Sequence, residues 1–237
     1  MLSQVNHWLE IVATAVDFLL LGRVLLLKLH RLYLFITLAC VLTVLFDSVQ
    51  LWLGNASNAS VRVFIYSRFL WALLFPLVAW DVFEELKGQI AKLRRVAIGR
   101  LASGLFFAVV FSLLASAFTE TDANGEPSLA AMAGIVLWAG SATASLAFLW
   151  SLHRSLRTAS VTVPHNTHVW LIFYELSLLA ELASCFTLLV APLFKGVSGD
   201  LLNILFMTYG VGITGWCILR LRGSASDSNT ESEQARP

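Results

Sequence analysis

An α-helix needs about twenty apolar residues in a row to cross a hydrocarbon core of roughly 30 Å, because it rises 1.5 Å per residue. This chain carries such runs almost end to end, at residues 8–29, 32–53, 62–83, 98–118, 128–150, 169–192 and 201–221, parted by short polar interruptions. The expected fold class is therefore all-α: a polytopic membrane protein, with a bundle of seven transmembrane helices filling residues 1–222. The tail GSASDSNTESEQARP, residues 223–237, has no apolar periodicity and is expected to be disordered.

Composition excludes the alternatives. Of 237 residues, 58% are hydrophobic and 13% charged, whereas a soluble domain is about one quarter charged. The first run is not a cleaved signal peptide, since Glu10, Asp17 and Arg23 interrupt it and no small-residue cleavage pattern follows. Cys40, Cys185 and Cys217 all fall inside spans and show no CxxC spacing, so they are read as core residues, with no metal or cofactor expected. A net charge of +1 spread over several loops gives no nucleic acid a surface to bind.

Basic residues sort by side. Lys28 and Arg31 lie between the first two spans, and Lys87, Lys92, Arg94, Arg95 and Arg100 between the third and fourth. Arg154 and Arg157 follow the fifth span, and Arg220 and Arg222 end the seventh. The opposite side has Arg62, Lys195 and the acidic loop TETDANGEPS. The positive-inside rule then places the N-terminus outside and the C-terminus in the cytoplasm. The stretch EELKGQIAKLRRVAIGR, residues 84–100, is read either as a cytoplasmic extension of helix three or as an amphipathic segment along the headgroups. Asn55 and Asn58 open N-x-S sequons, which matter only in a host that glycosylates.

Seven-helix families with known chemistry do not fit. The last span has no lysine for a retinal Schiff base, and His7, His30, His153, His165 and His168 lie at helix ends or in loops, away from any mid-bundle metal. WDVFEELK at the end of helix three and MTYGVGITG in helix seven lack the receptor signatures of G-protein-coupled receptors. Three segments, LKLHRLYLFITLACVL, YSRFLWALLFPLVAWDVFEEL and IGRLASG, cover about a fifth of the chain. In these the chain resembles a group of bacterial seven-helix integral membrane proteins of no assigned activity. That resemblance implies the same topology and a bacterial inner membrane, and supplies no site.

The charges inside the spans carry what functional signal there is, because an ionisable group at mid-bilayer costs roughly 2.5–3.5 kcal/mol on insertion scales and demands a partner or a wet cavity. Asp17, Asp47, Arg68 and Glu181 form the candidate buried polar cluster. Residues three and four apart share a helix face, so Glu10, Thr14 and Asp17 form one polar stripe. Cys40, Thr43, Asp47 and Gln50 form a second, and Tyr174, Ser177, Glu181 and Ser184 a third. Matching depths predict an Asp47–Arg68 ion pair, which leaves Asp17 and Glu181 without a counter-charge, with Glu181 as a neutral hydrogen-bond donor. Arg23 and Glu175 are expected to reach the headgroups instead.

No nucleophile and base can be brought together from spacing, so an enzyme ranks third, behind two other classes of function. One is a sensor-like protein binding a small ligand in a polar interior, with a proton-coupled transporter as a variant; the other is a scaffold or subunit whose polar residues hold helices and other membrane proteins together.

Overall fold

The computed structural model describes residues 2–53, 58–86, 98–99, 101–106, 108–110, 128–159, 162–190 and 199–223. The basic stretch 87–97, the sequon at Asn55, the acidic loop 119–127, the second half of the fourth run and the tail from 224 lie outside them. Every regular element described is helical: α1 (Leu2–Leu26), α2 (Leu34–Leu53), α3 (Asn58–Leu86), a shorter apolar α4 (Leu101–Val110), α5 (Ser128–Ala159), α6 (His165–Val190) and α7 (Gly199–Arg220).

Four of these, α2, α5, α6 and α7, are long and apolar enough to cross a membrane, which makes the chain a membrane protein. α1 and α3 are equally long, but they carry more ionisable residues: Glu10, Asp17 and Arg23 on one, Arg62, Arg68, Asp81, Glu84 and Glu85 on the other. Both stand among the spanning helices nonetheless. Neighbours run α1–α2–α3–α5–α6–α7 and back to α1, a closed ring, with a further contact of α3 on α6.

Helix ends depart from the apolar runs where local chemistry takes over. α1 stops at Leu26 because Lys28 adopts a left-handed backbone (φ 57°) and a single 3₁₀ turn, Leu29–Arg31, leads into α2. α5 continues to Ala159, well past the apolar run, because Leu152 and Leu156, one turn apart, are buried against the bundle.

α4 lies against α5 through small residues. A Cβ on Gly104 would stand 2.6 Å from the Cβ of Ala144, and one on Gly140 would stand 2.7 Å from that of Ala108. Gly104/Ala108 and Gly140/Ala144 are each four apart and pair in opposite order, so two G-x-x-x-A faces meet antiparallel at backbone contact distance. On its other side α5 touches α3, where the Ser141 hydroxyl donates to the Ala72 carbonyl.

The core is unevenly filled. At the end where α1 and α7 finish and α2 and α6 begin, Tyr33, Phe83, Phe148, Trp170 and Leu171 are almost wholly buried. Trp170 is the hub of that cluster, in ring contact with Tyr33, Phe173 and Tyr174. The opposite half of the bundle is hollow.

Candidate functional site

The hollow follows from the polar stripes. Stripes on α1, α2 and α6 turn polar groups toward one space, and aromatic side chains complete its wall. A cavity of about 430 Å³ results, walled by α1, α2, α3, α6 and α7. Asp17, Asp47, Arg68 and Glu181 all line it, as do Cys40, Thr43, Gln50, Tyr174, Ser177 and Ser184. A second hollow of about 360 Å³, lined by Glu10, Thr14, Leu51 and Ser60, adjoins it toward the start of α1. The two share Asp47, Gln50, Phe64, Asn203 and Met207 as common wall.

The partners differ from those expected from depth. Arg68 faces Glu181 across α3 and α6, Nη1 to Oε2 at 3.6 Å, and not Asp47. Its guanidinium also lies over two rings, 3.9 Å from the centroid of Phe64 and 3.9 Å from that of Trp138. Phe64 is one turn before Arg68 on α3, so the ring and the guanidinium share a face; Trp138, wholly buried, comes from α5. Stacking on aromatic faces holds a guanidinium where water is scarce. Glu181 thus has the counter-charge it was expected to lack, while its side chain keeps 39% of its surface open toward the cavity. Depth alone misassigned the pair because it does not decide which of several neighbouring helices a side chain meets: Arg68 lies beside Glu181 of α6, with Trp138 of α5 against its guanidinium.

Asp17 and Asp47 are left together on the wall of the cavity, one from α1 and one from α2. Two carboxyl groups brought together in this way can hydrogen-bond to each other only if one of them carries a proton. Two hydrophobic helices therefore bring an acid pair to one point in the cavity wall.

Arg23 and Glu175 do not reach for headgroups. Arg23 Nη2 donates to the carbonyl of Leu221 at 3.0 Å, tying the end of α1 to the end of α7. Glu175 takes His153 Nδ1 at 3.0 Å, with both side chains mostly buried between α5 and α6. The filled end is laced by further polar contacts. The amide nitrogen of Asn166 donates to the Arg222 carbonyl and its oxygen accepts from the Arg222 N–H, both at 2.9 Å. The hydroxyls of Tyr33 and Thr167 are 2.9 Å apart. Asp81 Oδ2 accepts from the N–H groups of Phe35 and Ile36, at 2.6 and 2.9 Å. A carboxylate on α3 thereby caps the first turn of α2, which has no capping side chain of its own.

Trp138, Phe64 and Asp81 were not singled out from sequence. Each acts on a neighbouring helix or on a charge that periodicity within one helix does not reveal. Among the described residues no group of three or more His, Cys, Asp or Glu side chains is placed to hold a metal ion. Compared with known protein families, with curated proteins and with solved structures, the chain matches none of them.

Proposed function

We propose that the chain is a seven-span protein of the bacterial inner membrane that binds a small ligand in its hollow half, in the manner of a sensor. The cavity carries this reading. Its volume of about 430 Å³ falls in the usual range for small-molecule sites, roughly 300–1,000 Å³, and such sites combine apolar walls with a few convergent polar groups. A helix bundle that served only to hold other subunits would gain stability by filling this space, since unfilled volume in a core is costly.

Passage of a solute would require a second opening, and the aromatic cluster around Trp170 closes the far end. Binding fits this arrangement better than transport. The seven-span count is supported by the ring, in which α1 and α3 lie beside spanning helices on both sides. Exposed aromatics also support it: Trp8, Trp52 and Tyr66 crowd the end where α1 begins, where an interfacial belt would be.

The test is access. In a background with Cys40, Cys185 and Cys217 changed to alanine, a cysteine is introduced by Ser177→Cys, on the cavity wall. A small cationic methanethiosulfonate should label it in isolated membranes, while Leu179→Cys, exposed toward lipid on the same helix, stays unlabelled. Equal resistance at both positions would mean a closed interior and would favour the scaffold.

A further inference from the structure

We infer that the ligand of the cavity is a small organic cation, an ammonium group on an apolar or aromatic body, anchored by Asp17 and Asp47; this rests on the ligand-binding reading above. The charges lining the cavity are three carboxyl groups, Asp17, Asp47 and Glu181, against one guanidinium, Arg68. Arg68 is committed to Glu181 and to two aromatic faces. With one proton between them, Asp17 and Asp47 would still give that wall one negative charge, and apart from Arg68 no Lys or Arg lines the cavity among the described residues. An uncompensated charge away from bulk water is expensive, and a cation entering the cavity would relieve it.

The rest of the wall is suited to what such a cation would carry. Trp71, Phe75, Phe173 and Phe206 line the same space, and a cation near an aromatic face gains electrostatically where water is excluded. Tyr174 is 8% exposed and lines the cavity, and its hydroxyl has no hydrogen-bond partner among the described residues. A phenol oxygen so placed accepts a hydrogen bond from an ammonium. A metal ion would need more ligands than the pair supplies, since no group of three metal-binding side chains is assembled among the described residues. An anion would have to displace Glu181 from Arg68 in a cavity already carrying excess negative charge.

Equilibrium binding to the full chain in detergent at neutral pH decides the matter, with tritiated phenethylammonium as probe and phenethyl alcohol and hydrocinnamate as neutral and anionic competitors. Saturable binding of one phenethylammonium per chain is expected, with either competitor at least about tenfold weaker than unlabelled phenethylammonium. Asp17→Asn and Asp47→Asn should each weaken binding at least about tenfold, and Glu175→Gln, outside the cavity, should leave it unchanged. Should the asparagine variants fail to fold, the ranking of the three compounds on the unaltered chain still decides. No saturable binding, or competition by the alcohol or the acid as strong as by the ammonium, overturns the inference. Ligand access itself is judged separately, by the labelling of Ser177→Cys. A labelled cavity that prefers hydrocinnamate would keep the binding reading and reject the cation.

Discussion

Arg68 shows how much a single side chain decides in this bundle. It meets a carboxylate on α6, a ring from its own helix and a ring from α5, and so joins three helices around one charge. Removing one partner of a desolvated pair strands the other, at about 3–5 kcal/mol, whereas removing both often costs much less. Arg68→Leu should therefore lower the thermal unfolding midpoint in detergent sharply, and the double variant with Glu181→Leu should recover much of the loss. Pairing Arg68→Leu with Asp47→Leu should not. If Asp47→Leu rescues and Glu181→Leu does not, the partner assigned from depth alone was the right one. The other residues that bear on assembly behave alike: Asp81 caps a helix it does not belong to, and Arg23 ties α1 to the carbonyl of Leu221.

Among the elements, α5 occupies the position where the demands of two neighbours meet. One of its faces is small, and it lets the α4 backbone approach at Gly104 and Ala108. Another presents Trp138 and Ser141 to α3. At the first of these faces a methyl group has nowhere to go, because its nearest neighbours are an alanine Cβ and backbone, neither able to swing aside. Gly104→Ala and Gly140→Ala should each cost about 1–3 kcal/mol, as overpacking does. Combining Gly104→Ala with Ala144→Gly moves the methyl to the other helix and should restore part of the stability, read as the detergent melting temperature followed by circular dichroism. A neutral Gly104→Ala would show that α4 is not held at this distance.

At the scale of the whole molecule, the ring of helices divides into a filled half and a hollow half, and the proposed orientation decides which side the hollow half faces. The hollow half begins at the N-terminal end of α1, so it faces outward if the basic loops are cytoplasmic. A cysteine at Gln89, in the cysteine-free background, should resist an impermeant maleimide in intact cells, and one at Gly125 should react. The reverse pattern would turn the cavity toward the cytoplasm and make its ligand an internal one.

What the sequence by itself determined was whatever repeats within one helix. Runs of apolar residues mark the lipid-facing helices, and spacings of three and four put Asp17 with Thr14, Asp47 with Thr43, and Glu181 with Ser177 and Ser184 on common faces. Those faces are the ones that line the cavity and the hollow adjoining it. Only the tertiary structure decided who meets whom across helices: Arg68 with Glu181, Asp17 with Asp47, Glu175 with His153, Asp81 with the start of α2. Periodicity ties a residue to its neighbours one turn away, but the rotation of each helix about its axis is chosen by the packing of all of them together. Trp138 buried beneath Arg68, and Gly140 and Gly104 drawing α4 onto α5, are the contacts that set those rotations here. No single segment contains them.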